Sequence, residues 1–191
     1  ADITQLALLC PMKKGVLGAM NLNMTIQDIV CPENEQPQSI YDNNHKRNMY
    51  VRKGHPIKST IYGNGERYTR FRIGDIVMNT KNQNTISTFT YSNDDYWNGK
   101  PTAHSIGIFN GDCGKIIAYI PADPNCPSED DNNHEIIVVQ FFDNRIANID
   151  LTAGEFETFD LGYALTVHKS QGCEYNTVMY ISPHSLLNLK S

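Results

Sequence analysis

The chain has 191 residues, 40% of them hydrophobic, and a formal net charge of −5; that is enough for one full domain with its own core, or for one domain plus part of another. Its longest apolar runs, such as residues 136–139, are far too short to span a bilayer and no signal-peptide pattern opens the chain, so a cytoplasmic protein with no membrane partner is expected. Residues 1–62 carry 7 basic and 5 acidic side chains, 63–157 carry 7 and 14, and 158–191 carry 2 and 2, which rules out attraction of nucleic acid to the middle segment by its overall field.

Residues 3–9 form an apolar run of strand length, stopped by Cys10-Pro11. The sequence begins inside that run, which reads as a piece excised from a longer protein. Met12-Lys13-Lys14-Gly15-Val16-Leu17-Gly18 follows as a tight basic turn. From there Leu17, Met20, Leu22, Met24, Ile26, Ile29 and Val30 keep helical spacing until Pro32. Strand, basic turn and helix are the expected elements. Lys13 and Lys14 at such a turn also read as solvated loop charges.

Residues 33–62 are polar and Asn-rich, without strong periodicity. Lys46, Arg47, Arg52, Lys53 and Lys58 alternate there with Tyr41, Tyr50 and Tyr62. Basic and aromatic residues interleaved in this way can track a single strand through phosphate contacts and base stacking; a solvated linker is the other reading.

From Tyr68 onward the pattern is of short strands. Residues 70–78 predict a strand, a Gly-Asp turn and a second strand. Residues 105–109 run into Asn110-Gly111, a hairpin signal, ahead of residues 114–120, and residues 136–142 should pair across Asp143-Asn144 with 146–151. Short strands joined by turns predict a small barrel. Residues 86–104 read as an exposed excursion carrying Trp97, the only tryptophan.

Several patterns carry no site. Gly111-Asp112-Cys113-Gly114-Lys115-Ile116 lacks the first Gly of a phosphate loop and has Ile after its Lys. Residues 123–135 are acidic, but Ser128 and His134 occupy the Gly and bidentate-Glu places of a calcium loop. Five cysteines with no C-x-x-C pair predict free thiols and no zinc.

The densest chemistry lies in residues 162–174. The Thr166 hydroxyl, His168, the Lys169 ammonium and the Gln171 amide can all donate to phosphate oxygens or sugar. Gly172 permits a turn, and Glu174 can accept from ribose hydroxyls. A buried helix or strand with a polar end fits the same residue types.

Ala164, Thr166, His168, Lys169, Ser170, Gln171, Gly172 and Glu174 match, in order, A-x-T-x-H-K-[SA]-Q-G-x-E. This resembles motif V of superfamily 1 helicases, most closely the RecD type and its relatives among conjugative relaxase helicases; Tyr175 takes the aromatic place and residues 178–181 the following strand. The resemblance implies that Thr166, His168 and Lys169 contact single-stranded DNA and that Glu174, with Gln171 and Gly172, serves the ATP site. Pro11, Met12, Lys13, Lys14, Gly15, Gly18 and Asn23 similarly resemble motif IV, implying ATP contacts from Lys13 and Lys14, with Lys13 where Arg is usual, a point charge in place of a fork. The phrases at 71–78 and 109–114 resemble those of the SH3-like barrel inserted into RecD-type helicases.

The implied fold class is α/β plus β: a partial RecA-like second motor domain with an inserted small SH3-like β-barrel. Residues 1–35 would be its first part, 36–66 a linker or insertion, 67–157 the barrel, and 158–191 the continuation, ending before motif VI. The implied function is that of part of an ATP-dependent DNA helicase of DNA repair or recombination. It would use ATP and Mg2+ in the full-length protein and have single-stranded DNA and an upstream RecA-like domain as partners. Without a P-loop the piece alone is expected to be inactive. The alternatives are a non-catalytic SH3-like protein-interaction module and the helicase domain of a relaxase.

Overall fold

The structure, a computed structural model, describes residues 6–42, 45–63, 65–92, 96–97, 99–126, 133–170, 175 and 177–182. The apolar run near the start forms β1 (Leu6–Cys10), and helix α1 (Ala19–Val30) follows the basic turn. Then come β2 (Ser39–Asp42), β3 (Arg47–Tyr50), the two-residue strands β4 (Tyr62–Gly63) and β5 (Tyr68–Thr69), and β6 (Ile76–Asn79). A long hairpin, β7 (Gln83–Tyr91) and β8 (Pro101–Ile108), precedes β9 (Cys113–Ile120), β10 (Ile136–Phe141) and β11 (Ile146–Asp150). A 3-10 turn (Glu155–Thr158) leads into β12 (Phe159–Leu161), β13 (Ala164–Thr166) and β14 (Thr177–Tyr180).

Two sheets carry the architecture. In the smaller, β1 lies between β13 and β14 and runs parallel to both, with Leu8 opposite Ala164 on one side and Met179 on the other. The larger has nine strands, ordered β12-β6-β9-β10-β11-β7-β8, with the β2–β3 hairpin attached where Tyr50 faces Tyr119. The fold is therefore α+β, mostly sheet with one helix.

The larger sheet does not close into the expected barrel. Its last strand, β8, pairs with β7 alone and is exposed from Pro101 to Ile106. Closure would need an inward apolar face along β8, and neither Thr102 with His104 on one face nor Ser105 on the other supplies one. The Asn110-Gly111 turn also differs from expectation. It is a corner and not a hairpin, because β8 pairs with β7 whereas β9 pairs with β6 and β10. Gly111 adopts φ 96 and donates to the Asn79 carbonyl at 2.8 Å, which turns the chain from one part of the sheet to another. The hairpin across Asp143-Asn144 forms as its sequence predicts, with Asn144 at φ 67.

Residues 70–73 give a single isolated bridge, Pro56 to Arg72, where a strand was expected. The patternless stretch 33–62 folds in part into the β2–β3 hairpin. Met20 and Met24 of α1 share one buried cluster with Ile57, Phe71, Ile73, Val77, Ile116, Ile137 and Leu161, so the helix and the large sheet have a common core.

The buried stripe of α1 is Ala19, Met20, Asn23, Met24 and Gln27, while Ile29 is exposed. Two amides on a buried helix face must be satisfied. Gln27 Nε2 donates to the Arg70 carbonyl (2.8 Å) and to Asp75 Oδ2 (2.6 Å), and its Oε1 accepts from Thr69 (2.8 Å). Asp75, fully buried, also accepts from the Arg72 backbone N–H (2.7 Å) and from the Tyr163 hydroxyl (2.9 Å). Helix, Gly-Asp turn and the approach to β13 thus meet on one carboxyl.

Candidate functional site

Because β1 and β13 are parallel and adjacent, the loops that follow them leave the sheet at the same C-terminal end, where ligands of α/β sheets bind. The β1 loop is held tightly. The N–H groups of Ala19 and Met20, which open α1, donate to the carbonyls of Met12 and Lys13, both at 3.0 Å. Two of the orphan donors of the helix end are thereby satisfied within the loop itself. Gly15 takes φ +94, and a Cβ on Gly18 would lie 2.4 Å from the Lys14 backbone. Only glycine fits at position 18.

The β13 loop is equally local. Val167 N–H donates to the Cys10 carbonyl at 3.2 Å, continuing the parallel pairing by one step. The Thr166 carbonyl then accepts from Lys169 N (2.9 Å) and Ser170 N (3.2 Å), and this turn folds Lys169 back toward the sheet. The Cys10 thiol donates to the Leu165 carbonyl at 3.3 Å, and burial pushes its pKa up, which leaves it an inert structural thiol.

Lys13, Thr166 and Lys169 line one narrow cleft, together with Asn23, Tyr62 and Asp160. It measures about 10 Å³, room for a water molecule, and its walls are buried, so a larger ligand meets only the groups at its mouth. Its remaining walls are apolar: Ala19, Met20, Met78, Leu161, Ala164 and Leu165. Asn23 fixes the cleft wall by donating to the Ala164 carbonyl (2.9 Å) and accepting from the Ala164 N–H (2.7 Å). It also donates to the Tyr62 hydroxyl at 3.2 Å. Burial, with Asp160 nearby, pushes the Tyr62 phenol up, so it stays protonated. The Lys169 ammonium forms an ion pair with the Asp160 carboxylate.

The structure thus brings together Lys13, Thr166 and Lys169 of the residues expected to act. Lys14 and His168 are exposed and do not line the cleft. Gln171, Gly172 and Glu174 lie outside the described residues. Sequence reasoning missed Asp160, Tyr62 as a cleft residue, and the work done by Asn23. Asn23 had a signal, its place in the motif IV pattern, whereas an Asp between Phe159 and Leu161 has none.

Of the basic and aromatic residues expected to track a strand over 33–62, Tyr41, Lys46, Lys53 and Lys58 are exposed, whereas Arg47 and Tyr50 have partners within the fold. Arg47 is spent on the His134 carbonyl (3.0 Å), Asn133 Oδ1 (3.1 Å) and the Pro121 carbonyl (3.3 Å). Tyr50 stacks on His55 at 4.6 Å. Gly114, in the phrase similar to a phosphate loop, is packed against Gln140, whose carbonyl lies 2.6 Å from where a Cβ would be. Among the described residues no group of three His, Cys, Asp or Glu side chains could hold a metal ion, and no helix is long and apolar enough to cross a membrane.

No protein-family model matches the chain.

Proposed function

We propose that this chain is part of an ATP-dependent DNA helicase of the RecD-like superfamily 1 type, and that the mouth of the cleft between the β1 and β13 loops contacts the phosphates of single-stranded DNA. The observation that carries the reading is the convergence of Lys13 from one loop with Thr166 and Lys169 from another at the C-terminal end of a parallel sheet. The two sequence stretches similar to helicase motifs IV and V are far apart in the chain, and their basic residues share one cleft. Phosphate oxygens suit an ammonium and a hydroxyl side by side.

ATP hydrolysis in this proposal belongs to the full-length protein, with Mg2+ and an upstream RecA-like domain supplying the chemistry of the triphosphate. The residues of this chain would bind and orient. Thr166 and Lys169 hold the strand, and Asn23 keeps the two loops in register. Lys13, for which the motif IV resemblance implies an ATP contact, here adds its positive charge to the strand site at the rim. Closure of two motor domains around nucleotide would then move the Thr166–Lys169 turn relative to the strand.

The test is fluorescence anisotropy of a labelled oligo(dT) against the chain at low salt. Binding that weakens with added salt, and by about tenfold in Lys169→Ala, is the expected result. Binding indifferent to salt and to both Lys13→Ala and Lys169→Ala would overturn the reading and favour a protein-interaction module.

A further inference from the structure

Among the described residues lining the cleft, two carry ammonium groups and one, Asp160, carries a carboxylate. Asp160 projects from β12, the strand at the end of the large sheet, and pairs with Lys169. The two side chains keep only 27% and 30% of their exposure, so water screens the pair incompletely. A phosphate reaching Lys169 would bring a second negative charge to an ammonium that already holds one. Like charges at a shared partner repel, and the carboxylate must give way for the phosphate to make its full contact.

We infer that Asp160 is a specificity-determining residue of the cleft, a resident anion that the ligand must displace from Lys169. The inference rests on the single-strand reading above and deepens it by naming the ligand class. A lone phosphate recovers at Lys169 about what it gives up by displacing the carboxylate. A chain of linked phosphates also reaches groups outside the cleft, such as the exposed His168, and those contacts cost no internal ion pair. The cleft therefore selects a phosphodiester strand over inorganic phosphate.

Asp160→Asn keeps the side-chain volume and the backbone pairing of residue 160 with Met78, and Asp160→Ser gives the same comparison with a side chain too short to reach Lys169. Each is measured in the full chain with and without Lys169→Met, by anisotropy of labelled oligo(dT) at low salt, with inorganic phosphate as competitor. The expected result is about fivefold tighter binding in Asp160→Asn, no such gain when Lys169 is Met, and competition by phosphate that is stronger in Asp160→Asn than in the wild type. An equal gain in both backgrounds would reduce Asp160 to a contribution to the overall field and overturn the inference. Weaker binding in Asp160→Asn would overturn it too, by making the carboxylate a support for Lys169. Failure of the wild type to bind oligo(dT) at all would instead remove the single-strand reading, and the inference with it.

Discussion

Asn23 and Ala164 are joined by two hydrogen bonds, the side-chain amide donating to the backbone carbonyl at 2.9 Å and its oxygen accepting from the backbone N–H at 2.7 Å. A helix that follows the first strand is thereby clamped to a strand near the other end of the chain. Asn23→Ala would leave the backbone groups of Ala164 and the Tyr62 hydroxyl short of partners in a buried site. The expected cost is about 3 kcal/mol, read as a fall in Tm of roughly 6–10 °C by calorimetry. Asn23→Asp keeps the acceptor but sets a carboxylate against the Ala164 carbonyl, so it too should be destabilised.

Gly18→Ala places a methyl group 2.4 Å from the Lys14 backbone. The loop must shift and carry Lys13 away from Thr166 and Lys169. Oligo(dT) affinity should fall about tenfold while the thermal transition moves by only a few degrees, roughly the cost of local overpacking. Anisotropy and a thermal melt of the same sample separate the two effects.

Burial pushes the Asp75 carboxyl up to about 6 from its ordinary 3.8, against the hydrogen bonds it accepts from Arg72, Gln27 and Tyr163. A carboxyl whose folded pKa is raised favours the folded state below its unfolded pKa, and that contribution is lost as pH rises through the folded value. This group should add about 1.4 kcal/mol of stability between about pH 7.5 and about pH 5. His55 acts oppositely: burial lowers its pKa from 6.5, so acidification costs stability there. Comparison with Asp75→Asn isolates the carboxyl, because an amide can accept from Arg72 and Gln27 and donate to the Tyr163 hydroxyl. Urea denaturation across the pH range should show the rise toward acid in the wild type and its absence in the variant.

Trp97 is 44% exposed and makes an edge contact with Tyr96 at 5.0 Å, near the turn of the β7–β8 hairpin. The start of β7 is fastened to the segment before β12, Gln83 donating to Thr158 at 2.7 Å, and the nine-residue strand then runs away from that point. At about 3.3 Å per residue, Trp97 lies roughly 25 Å from it. Oligo(dT) bound at the mouth of the cleft should leave tryptophan emission unchanged. Strong quenching on titration would place the strand on the hairpin instead.

The sequence was most informative where the physics is local. An apolar run stopped by Pro11, a helical repeat stopped by Pro32, and an Asp143-Asn144 turn between two apolar stretches each specify their own element, and β1, α1 and the β10–β11 hairpin formed accordingly. Pairing between distant strands is not local, which is why Asn110-Gly111 predicts a hairpin and the short strands a barrel, and neither forms. The cleft was legible to the same degree. Lys13, Thr166 and Lys169 stand out by residue type and motif, but Asp160 is recognisable only once the turn after β13 brings Lys169 back to β12. The buried face of α1 is not legible for a related reason, since Asn23 and Gln27 find partners inside that no periodicity of apolar residues can register.

The small parallel sheet has a kinetic consequence. Cys10 and Leu165, which share a hydrogen bond within it, are 155 residues apart in the chain. Closing so large a loop in an unfolded chain costs entropy that three short strands repay poorly, while β9, β10 and β11 lie close together in sequence and can pair early. We expect the large sheet to form first and to bring the two ends of the chain within reach of each other. Pulse-labelled hydrogen exchange would then protect Ile137 and Ile149 before Leu8 and Leu165, and the reverse order would sink the idea. A chain arrested halfway would hold its core and lack its cleft.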